Sequence, residues 1–152
     1  MPLAIRPARP GEEEALSDLA LRSKAHWGHD AAFLERARPE LTVAREDLDR
    51  LLVRVAERGG AVLGFSAVDL ASEPPELVAL FVDPEAMGGG VGRSLLSRAL
   101  DEAGAAGASQ LVVESDPDAE PFYLARGAER IGSRVSASTG RELPLLRIGT
   151  GG

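Results

Sequence analysis

Residues 81–95 read FVDPEAMGGGVGRSL and place four glycines among the five positions 88–92. An apolar run, 77–82, precedes them, and residues 93–103 follow with apolar side chains at helical spacing. A strand that enters a glycine-rich turn and continues into a helix presents backbone N–H groups at the positive end of the helix dipole. Gly88, Gly89, Gly90 and Gly92 also lack the β-carbons that would hold a diphosphate away. The stretch favours a phosphate site, although a plain flexible connection explains the glycines as well.

Two familiar phosphate motifs do not fit these residues. A P-loop ends in Gly-Lys-Ser/Thr, whereas this chain has Gly92, Arg93 and Ser94, and the first glycine of that motif would fall on Met87. A dinucleotide fingerprint that starts at Gly88 and Gly90 would need its third glycine at Arg93. Both kinds of nucleotide site are therefore disfavoured.

Length and composition narrow the class of protein. A chain of 152 residues is expected to fold as one domain over residues 1–152. The net charge of −7, from 17 basic and 24 acidic residues, argues against a nonspecific nucleic-acid binder and suits a cationic or amine partner. No apolar run of transmembrane length and no leader-like segment is found, so a cytoplasmic protein without a membrane partner is expected. Without cysteine, thiolate catalysis is excluded.

Hydrophobic patterning predicts one strand, two or three helices, three strands, a helix, a strand, a short helix and two strands. This order indicates an α/β fold with a central sheet and helices on both faces. The second helix is expected to end before Pro39, and a further helix is expected over 42–51. The apolar run 77–82 predicts a strand covered on both faces, and residues 149–152 are expected to be disordered.

Two segments resemble motifs of the GNAT superfamily of N-acetyltransferases. Residues 82–92 resemble its acyl-CoA-binding motif, Arg/Gln-x-x-Gly-x-Gly/Ala after a Val-x-Pro turn, with Met87 in place of the Arg or Gln. The segment SDPDAEPFYLARGA, 115–128, is similar to the later motif Asn-x-x-Ala-x-x-Phe-Tyr-x-x-x-Gly-Phe. In it, Asp116 and Ala128 replace the Asn and the final Phe.

The resemblance implies a mostly antiparallel sheet in which one parallel strand pair, around Leu80 and Val113, splays apart. It also implies that acetyl-CoA is the co-substrate. The strand before the glycines would bind the pantetheine arm, and the glycine loop would bind the pyrophosphate. The residues carried over as coenzyme-binding are Leu80, Phe81, Val82, Met87, Gly88, Gly89, Gly90, Val91, Gly92, Arg93, Asp116 and Tyr123.

Two residues are candidates for catalysis by the same resemblance. Tyr123 occupies the position of the general acid that protonates the leaving thiolate, although it equally fits a core aromatic at a helix end. Glu76 begins the strand that leads to the glycines and matches a general base, acting directly or through water. Because Pro74 and Pro75 precede it, a solvent-exposed strand end is as credible. The lack of cysteine favours direct transfer over a covalent acyl-enzyme.

The junction between the first two helical segments holds His26, Trp27 and His29, and in the family this junction covers the acceptor pocket. These three are therefore candidate substrate-binding residues. The alternative is that Trp27 packs beneath the helices and the histidines are solvated. Two histidines without further ligands do not predict a metal site, so none is expected. The turn 136–141 is a second candidate border of the acceptor site, or a plain hairpin loop.

The leading hypothesis is an acetyl-CoA-dependent N-acetyltransferase that acts on the primary amine of a small molecule or an amino-acid-like substrate. A catalytically idle coenzyme A-binding regulatory module is the alternative, because Met87 and Asp116 depart from the family motifs. Acetylation of a protein or peptide amine is a further alternative. The family also implies a possible homodimer.

Overall fold

The computed structural model describes residues 2–151, and Met1 and Gly152 lie outside the described residues. This range contains seven strands and five helices, with one 3₁₀ turn at Pro84–Ala86. In chain order they are β1 (Ala4–Pro7), α1 (Glu13–Ala25), α2 (Ala31–Leu41), α3 (Arg45–Arg50), β2 (Leu52–Arg58), β3 (Ala61–Asp69), β4 (Glu76–Val82), α4 (Val91–Ala105), β5 (Gln110–Glu114), α5 (Glu120–Leu124), β6 (Glu129–Val135) and β7 (Glu142–Gly149).

The seven strands form one sheet in the order β1-β2-β3-β4-β5-β7-β6. Neighbouring strands are antiparallel except β4 and β5, which run parallel. Gly59 and Gly60, both at positive φ, make the tight turn that joins β2 to β3. A parallel pair needs a long crossover, which α4 supplies between β4 and β5. The predicted α/β fold, with one parallel pair in a mostly antiparallel sheet, is confirmed.

Helices cover both faces of the sheet, as predicted. On one face, α1 buries Leu16 and Leu19 in a cluster with Phe65 of β3. On the other face, α4 buries Leu96 in a cluster with Leu111 and other strand residues. Successive strand side chains point to opposite faces, so the apolar strands of this sheet supply both clusters. No helix in the described range is both long and apolar enough to cross a membrane.

Two helix boundaries differ from the predictions. Helix α2 continues through Pro39 to Leu41, because a proline in the last turn removes only one intrahelical hydrogen bond. Thr42 then ends the helix in an extended conformation, and its hydroxyl donates to the carbonyl of Arg38 at 2.7 Å. The helix expected over 42–51 therefore begins only at Arg45.

The chain terminus is more ordered than the sequence predicts. Gly149 belongs to β7, and the N–H of Thr150 donates to the carbonyl of Ser109 at 3.0 Å. The Thr150 hydroxyl donates to the carbonyl of Ala108 at 2.8 Å. The expectation of a disordered tail is therefore wrong for these two residues, while Gly152 lies outside the described range.

Candidate active site

The central feature of the molecule is a cleft between the parallel strands β4 and β5. The two strands pair only where β4 begins, with Glu76 opposite Val112 and Leu77 opposite Val113 of β5. Beyond Leu77 the strands diverge and leave a cavity of about 490 Å³. The edge of β4 from Val78 onward faces this cavity without a partner strand among the described residues. Unpaired strand edges present N–H and C=O groups that a bound molecule can satisfy.

A β-bulge at Val78 accompanies the divergence. Ala67 of β3 pairs with Ala79 and Val68 pairs with Leu77, so Val78 has no partner in β3. Bulges bend and twist the strand that carries them, and they are common beside active sites. The side chain of Val78 is 45% exposed and lines the cavity. Elsewhere the strand is covered on both faces, as predicted, because Leu77 and Leu80 pack in the cluster beneath α4, and Ala79 and Phe81 pack in the cluster beneath α1.

The glycine loop lies between β4 and α4, as predicted. Gly88 and Gly90 both have φ of +85°, a conformation that favours glycine. Within the described residues, the backbone N–H groups of Gly88, Gly90 and residues 91–93 have no backbone acceptor. These groups lie at the N-terminus of a 15-residue helix, whose dipole favours an anion. The loop therefore fits a phosphate group held by main-chain donors.

The side chains around the loop come from the loop itself and from the end of β4. Met87 is half-buried and Arg93 is exposed, so Met87 contributes no charge where the family motif carries a polar side chain. Leu80 and Phe81 line the cavity, whereas Val82 packs where β4 passes the start of α4. A β-carbon on Gly92 would lie 3.4 Å from the Phe122 ring and 3.5 Å from Val82. The end of β4, the glycine loop and α5 are therefore in contact around Gly92.

Tyr123 lies in the wall of the cavity on α5. It is 4% exposed, and its ring packs edge-on against Phe122 with 5.1 Å between centroids. The Tyr123 hydroxyl is protonated at neutral pH, as an ordinary tyrosine is, and burial raises its pKa further. Within the described part of the chain, the hydroxyl makes no side-chain hydrogen bond. A protonated hydroxyl that borders a cleft has the properties of a general acid.

Glu76 also lines the cavity, at the end where β4 and β5 are still paired. Its carboxylate accepts hydrogen bonds from Arg134 of β6 at 3.2 and 3.4 Å. The same guanidinium lies 3.6 Å from Glu114, which lines the cavity too. Glu76 is therefore fixed by Arg134 and is not the freely solvated strand end that the sequence left open.

Asp116 borders the cavity but is already engaged by the protein. It forms ion pairs with Lys24 of α1 and with Arg141, the latter at 3.8 Å. Burial works to raise the pKa of the Asp116 carboxyl. The hydrogen bonds from Lys24 and the backbone N–H of Asp118, with the nearby Arg141 charge, outweigh burial and lower it. The predicted coenzyme-binding role of Asp116 has no support from this placement, since its carboxylate ties protein segments together.

The three candidate substrate residues are not brought together at the cavity. His26 and Trp27 lie beyond the end of α1, where both are exposed and their rings contact each other edge-on. His29 stacks on Phe33 with 4.0 Å between ring centroids and lies 4.0 Å from Asp118. None of the three lines the cavity. The placement therefore does not support an acceptor site at these residues.

Sequence reasoning missed the contact that bridges the cleft. Glu40, near the end of α2, accepts a hydrogen bond from the buried Ser136 hydroxyl at 2.8 Å. Glu40 lines the cavity together with Ala137 of the β6–β7 turn. The prediction that this turn borders the site agrees with that placement. Glu40 and Ser136 are 96 residues apart, and no local pattern indicates such a contact.

A family model described as an acetyltransferase (GNAT) domain matches residues 11–141. A protein of Azospirillum brasilense named IAA acetyltransferase is 43% identical over 76 residues. Those residues are 49% of this chain and 48% of the relative, so the match spans about half of each protein.

Solved structures share the architecture. The GCN5-related N-acetyltransferase of Rhodopseudomonas palustris has a TM-score of 0.82 at 20% identity, over 96% of this chain and 94% of that one. The PaiA N-acetyltransferase of Thermoplasma acidophilum, crystallised with coenzyme A, has a TM-score of 0.79 at 17% identity, over 98% and 99%. At such identities the likeness establishes the fold alone.

Proposed function

Since the chain belongs to the GNAT family of acetyltransferases, and is thus an acyltransferase, we propose that it transfers an acetyl group from acetyl-CoA to a primary amine. The acceptor is a small molecule or an amino-acid-like compound, and the transfer is direct, within a complex of the protein with both substrates. One observation carries the proposal. The cleft between β4 and β5 has a phosphate-type glycine loop beside it and a protonated tyrosine in its wall.

The coenzyme has a suitable place along this cleft. The free N–H groups of Gly88, Gly90 and residues 91–93 would hold its pyrophosphate. The unpaired edge of β4 along Leu80, Phe81 and Val82 would bind the pantetheine arm through main-chain hydrogen bonds. Bound there, acetyl-CoA supplies the activated acetyl group.

The cleft contains one group that could accept a proton from the amine and one that could donate a proton to the thiolate. An amine attacks a carbonyl only in its neutral form, and Glu76, which lines the cavity, would accept the proton directly or through water. Tyr123 would donate its proton to the departing thiolate. Because the chain has no cysteine, it offers no thiolate for an acyl-enzyme.

Charge in the cleft suits an amine. Four carboxylates line it, from Glu40, Glu76, Glu114 and Asp116, against the single lysine Lys24 among the described lining residues. Arg134 and Arg141 partly neutralise this set through ion pairs. The whole chain carries −7. An acidic cleft in an acidic protein attracts an ammonium ion and raises its local concentration.

A panel of amines incubated with acetyl-CoA tests the proposal. Thiol release should depend on the amine, and mass spectrometry should find the amine N-acetylated. Amine-independent release, or none with any amine while coenzyme A still binds, would favour the idle coenzyme-binding module. Acetylation of peptide amines but of no small amine would move the acceptor class to proteins.

A further inference from the structure

A second cavity of about 300 Å³ adjoins the cleft, between helices α2 and α3 and strands β2 to β4. We call it the side cavity. It shares five wall residues with the cleft, at the end of α2 and along β4: Glu40, Leu41, Val78, Ala79 and Phe81. Val78, the bulged residue, lies at the junction of the two. A molecule whose reactive end is in the cleft can therefore extend into the side cavity.

The side cavity exists because small residues oppose each other across the strands. Val53 of β2 pairs with Ala67 of β3, and Ala67 pairs with Ala79 of β4. Directly opposed residues share one face of a sheet, so this row forms a low floor. The neighbouring row is large: Phe65 lies opposite Phe81, with ring centroids 5.7 Å apart. The aromatic pair walls one end of the floor that the two alanines leave open.

Most residues that line the side cavity are apolar, and the polar side chains of Glu40, Thr42, Asp47 and Arg50 border it. Ala67 is 5% exposed and Phe65 is 1% exposed, and both belong to the core cluster beneath α1 and α2. The charged residues that border the cavity have partners in the protein. Asp47 pairs with Arg50 at 3.2 Å, and Glu40 accepts from Ser136. The side cavity therefore combines an apolar floor with a polar border whose carboxylates already have partners in the protein.

Its size is that of an aromatic ring with its linker. An apolar cavity of about 150 Å³ is large enough to bind benzene. The side cavity has about twice that volume and an aromatic wall. Burying a side chain of the size of Phe is worth about 1.5–3 kcal/mol, which corresponds to roughly 10- to 100-fold in affinity.

We propose that the side cavity receives the aromatic group of the acceptor, and that the protein selects arylalkylamines over small hydrophilic amines. This inference rests on the proposed function, because it places the amine in the cleft and the ring beside Phe81. Ala67 is the residue that sets the specificity, since it forms the floor of the side cavity and does not line the cleft.

The test measures binding, so that it does not depend on turnover. Calorimetric titration of the coenzyme A-saturated protein with 2-phenylethylamine and with ethylamine should show the aromatic amine binding roughly 10- to 100-fold more tightly. In Ala67→Leu the added side chain fills the side cavity. Affinity for 2-phenylethylamine should then fall to that for ethylamine, while affinities for ethylamine and coenzyme A stay unchanged. Ala32→Leu, on the exposed surface of α2, is the matched control and should bind like the wild type.

Equal affinity of the wild type for the two amines would overturn the inference, and so would unchanged selectivity in a folded Ala67→Leu. If thermal unfolding shows that Ala67→Leu does not fold, the inference is decided by the affinities of Ala67→Val and of the wild type for the two amines. The proposed function is judged separately by thiol release. Selective binding without acetyl transfer would refute the enzyme and keep the side cavity. Transfer to both amines with equal kcat/KM and equal affinity would support the enzyme and refute the role of the side cavity.

Discussion

Tyr123 is the candidate general acid in the cleft. The cleft wall buries the side chain, and burial raises the pKa of the hydroxyl. We predict that Tyr123→Phe keeps the fold and the affinity for coenzyme A but lowers kcat by roughly a hundredfold, the lower end of general-acid effects. Single-turnover rates with a reactive amine, together with coenzyme titration, provide the check. An unchanged rate would remove Tyr123 from the mechanism.

Glu76 is the candidate base. A control variant distinguishes this role from the loss of its ion pair with Arg134. We expect Glu76→Gln to lower kcat/KM and to alter the pH–rate profile, because the amide keeps the shape and cannot accept the proton. Glu129→Gln removes a carboxylate from an exposed ion pair with Arg147 and should leave the profile as in the wild type. A parent-like profile in Glu76→Gln would mean that water or another group is the base.

The sequence identified candidate residues of the site, but it seldom predicted which other residues they contact. The resemblance of the segment 115–128 to a known motif was enough to single out Tyr123, and the structure places it in the cleft. It was not enough to show that Asp116 binds Lys24, since these residues are 92 positions apart and the pairing depends on how α1 docks. His26 and Trp27 were singled out because aromatic residues concentrate at a helix junction that covers the acceptor pocket in the family, and neither observation determines where a loop points.

The glycine loop acts as a unit with the first turn of α4. Gly90→Val should abolish coenzyme A binding, because a β-branched residue is strained at φ of +85° and the loop would shift its N–H groups. Gly107, with φ of +96° and no atom near its missing β-carbon, is the matched control. Gly107→Val should lose comparable stability yet retain the rise in thermal stability that the coenzyme confers. For wild type this rise is about 2.7 kcal/mol at a hundredfold excess over Kd.

Coenzyme-dependent stabilisation of a folded Gly90→Val, equal to that of the wild type, would show that the phosphates bind elsewhere. No effect of millimolar coenzyme A on the wild type would contradict the assignment of the loop altogether. Met87 strengthens the prediction. The family motif has an Arg or Gln at this position, and Met offers no side-chain donor, so the loop depends on its main-chain N–H groups.

Elements and their order were predictable because alternation and helical spacing are local properties of the chain. The bulge at Val78 was not, since it arises from the pairing register of β3 and β4 and has no signature in β4 alone. The apolar run 77–82 predicted a strand covered on both faces, which holds, but the run gives no sign that Val78 is exposed in the cleft. Apolar residues that line a cleft look, in sequence, like residues that fill a core.

The molecule as a whole is tied together across the cleft by Asp116. Its partners Lys24 and Arg141 come from α1 and from the turn before β7. The pKa of Asp116 is lower in the folded state than the ordinary value of 3.8. Its stabilising contribution is therefore fully present above that ordinary value and is lost as the pH falls through the folded value.

We accordingly predict that Asp116→Asn is less stable than the wild type at pH 7, and that the difference shrinks below about pH 4. Urea denaturation between pH 7 and pH 2 measures it. Asp101→Asn, on the exposed side of α4, should show no such difference. A stability gap that stays constant down to pH 2 would mean that Asp116 acts by packing and not by charge.

The architecture of the whole chain was predictable because two spaced motifs and the element order agree with one another. The acceptor site was harder, since it is assembled from the end of α2, the bulged strand and a distant hairpin turn. Such a surface depends on tertiary packing, and side chains like Glu40 and Ala67 have no local pattern that marks them.

Direct transfer within one complex is decided by a single-turnover experiment. Wild-type protein preloaded with one equivalent of acetyl-CoA is mixed with an accepted amine, and intact-mass spectra are taken of the protein and of the amine. We predict one equivalent of N-acetylated amine and of free thiol, with no acetyl group on the protein at any time. An acetylated protein that forms before the product, or retention of the acetyl group on bound coenzyme, would contradict direct transfer in this cleft.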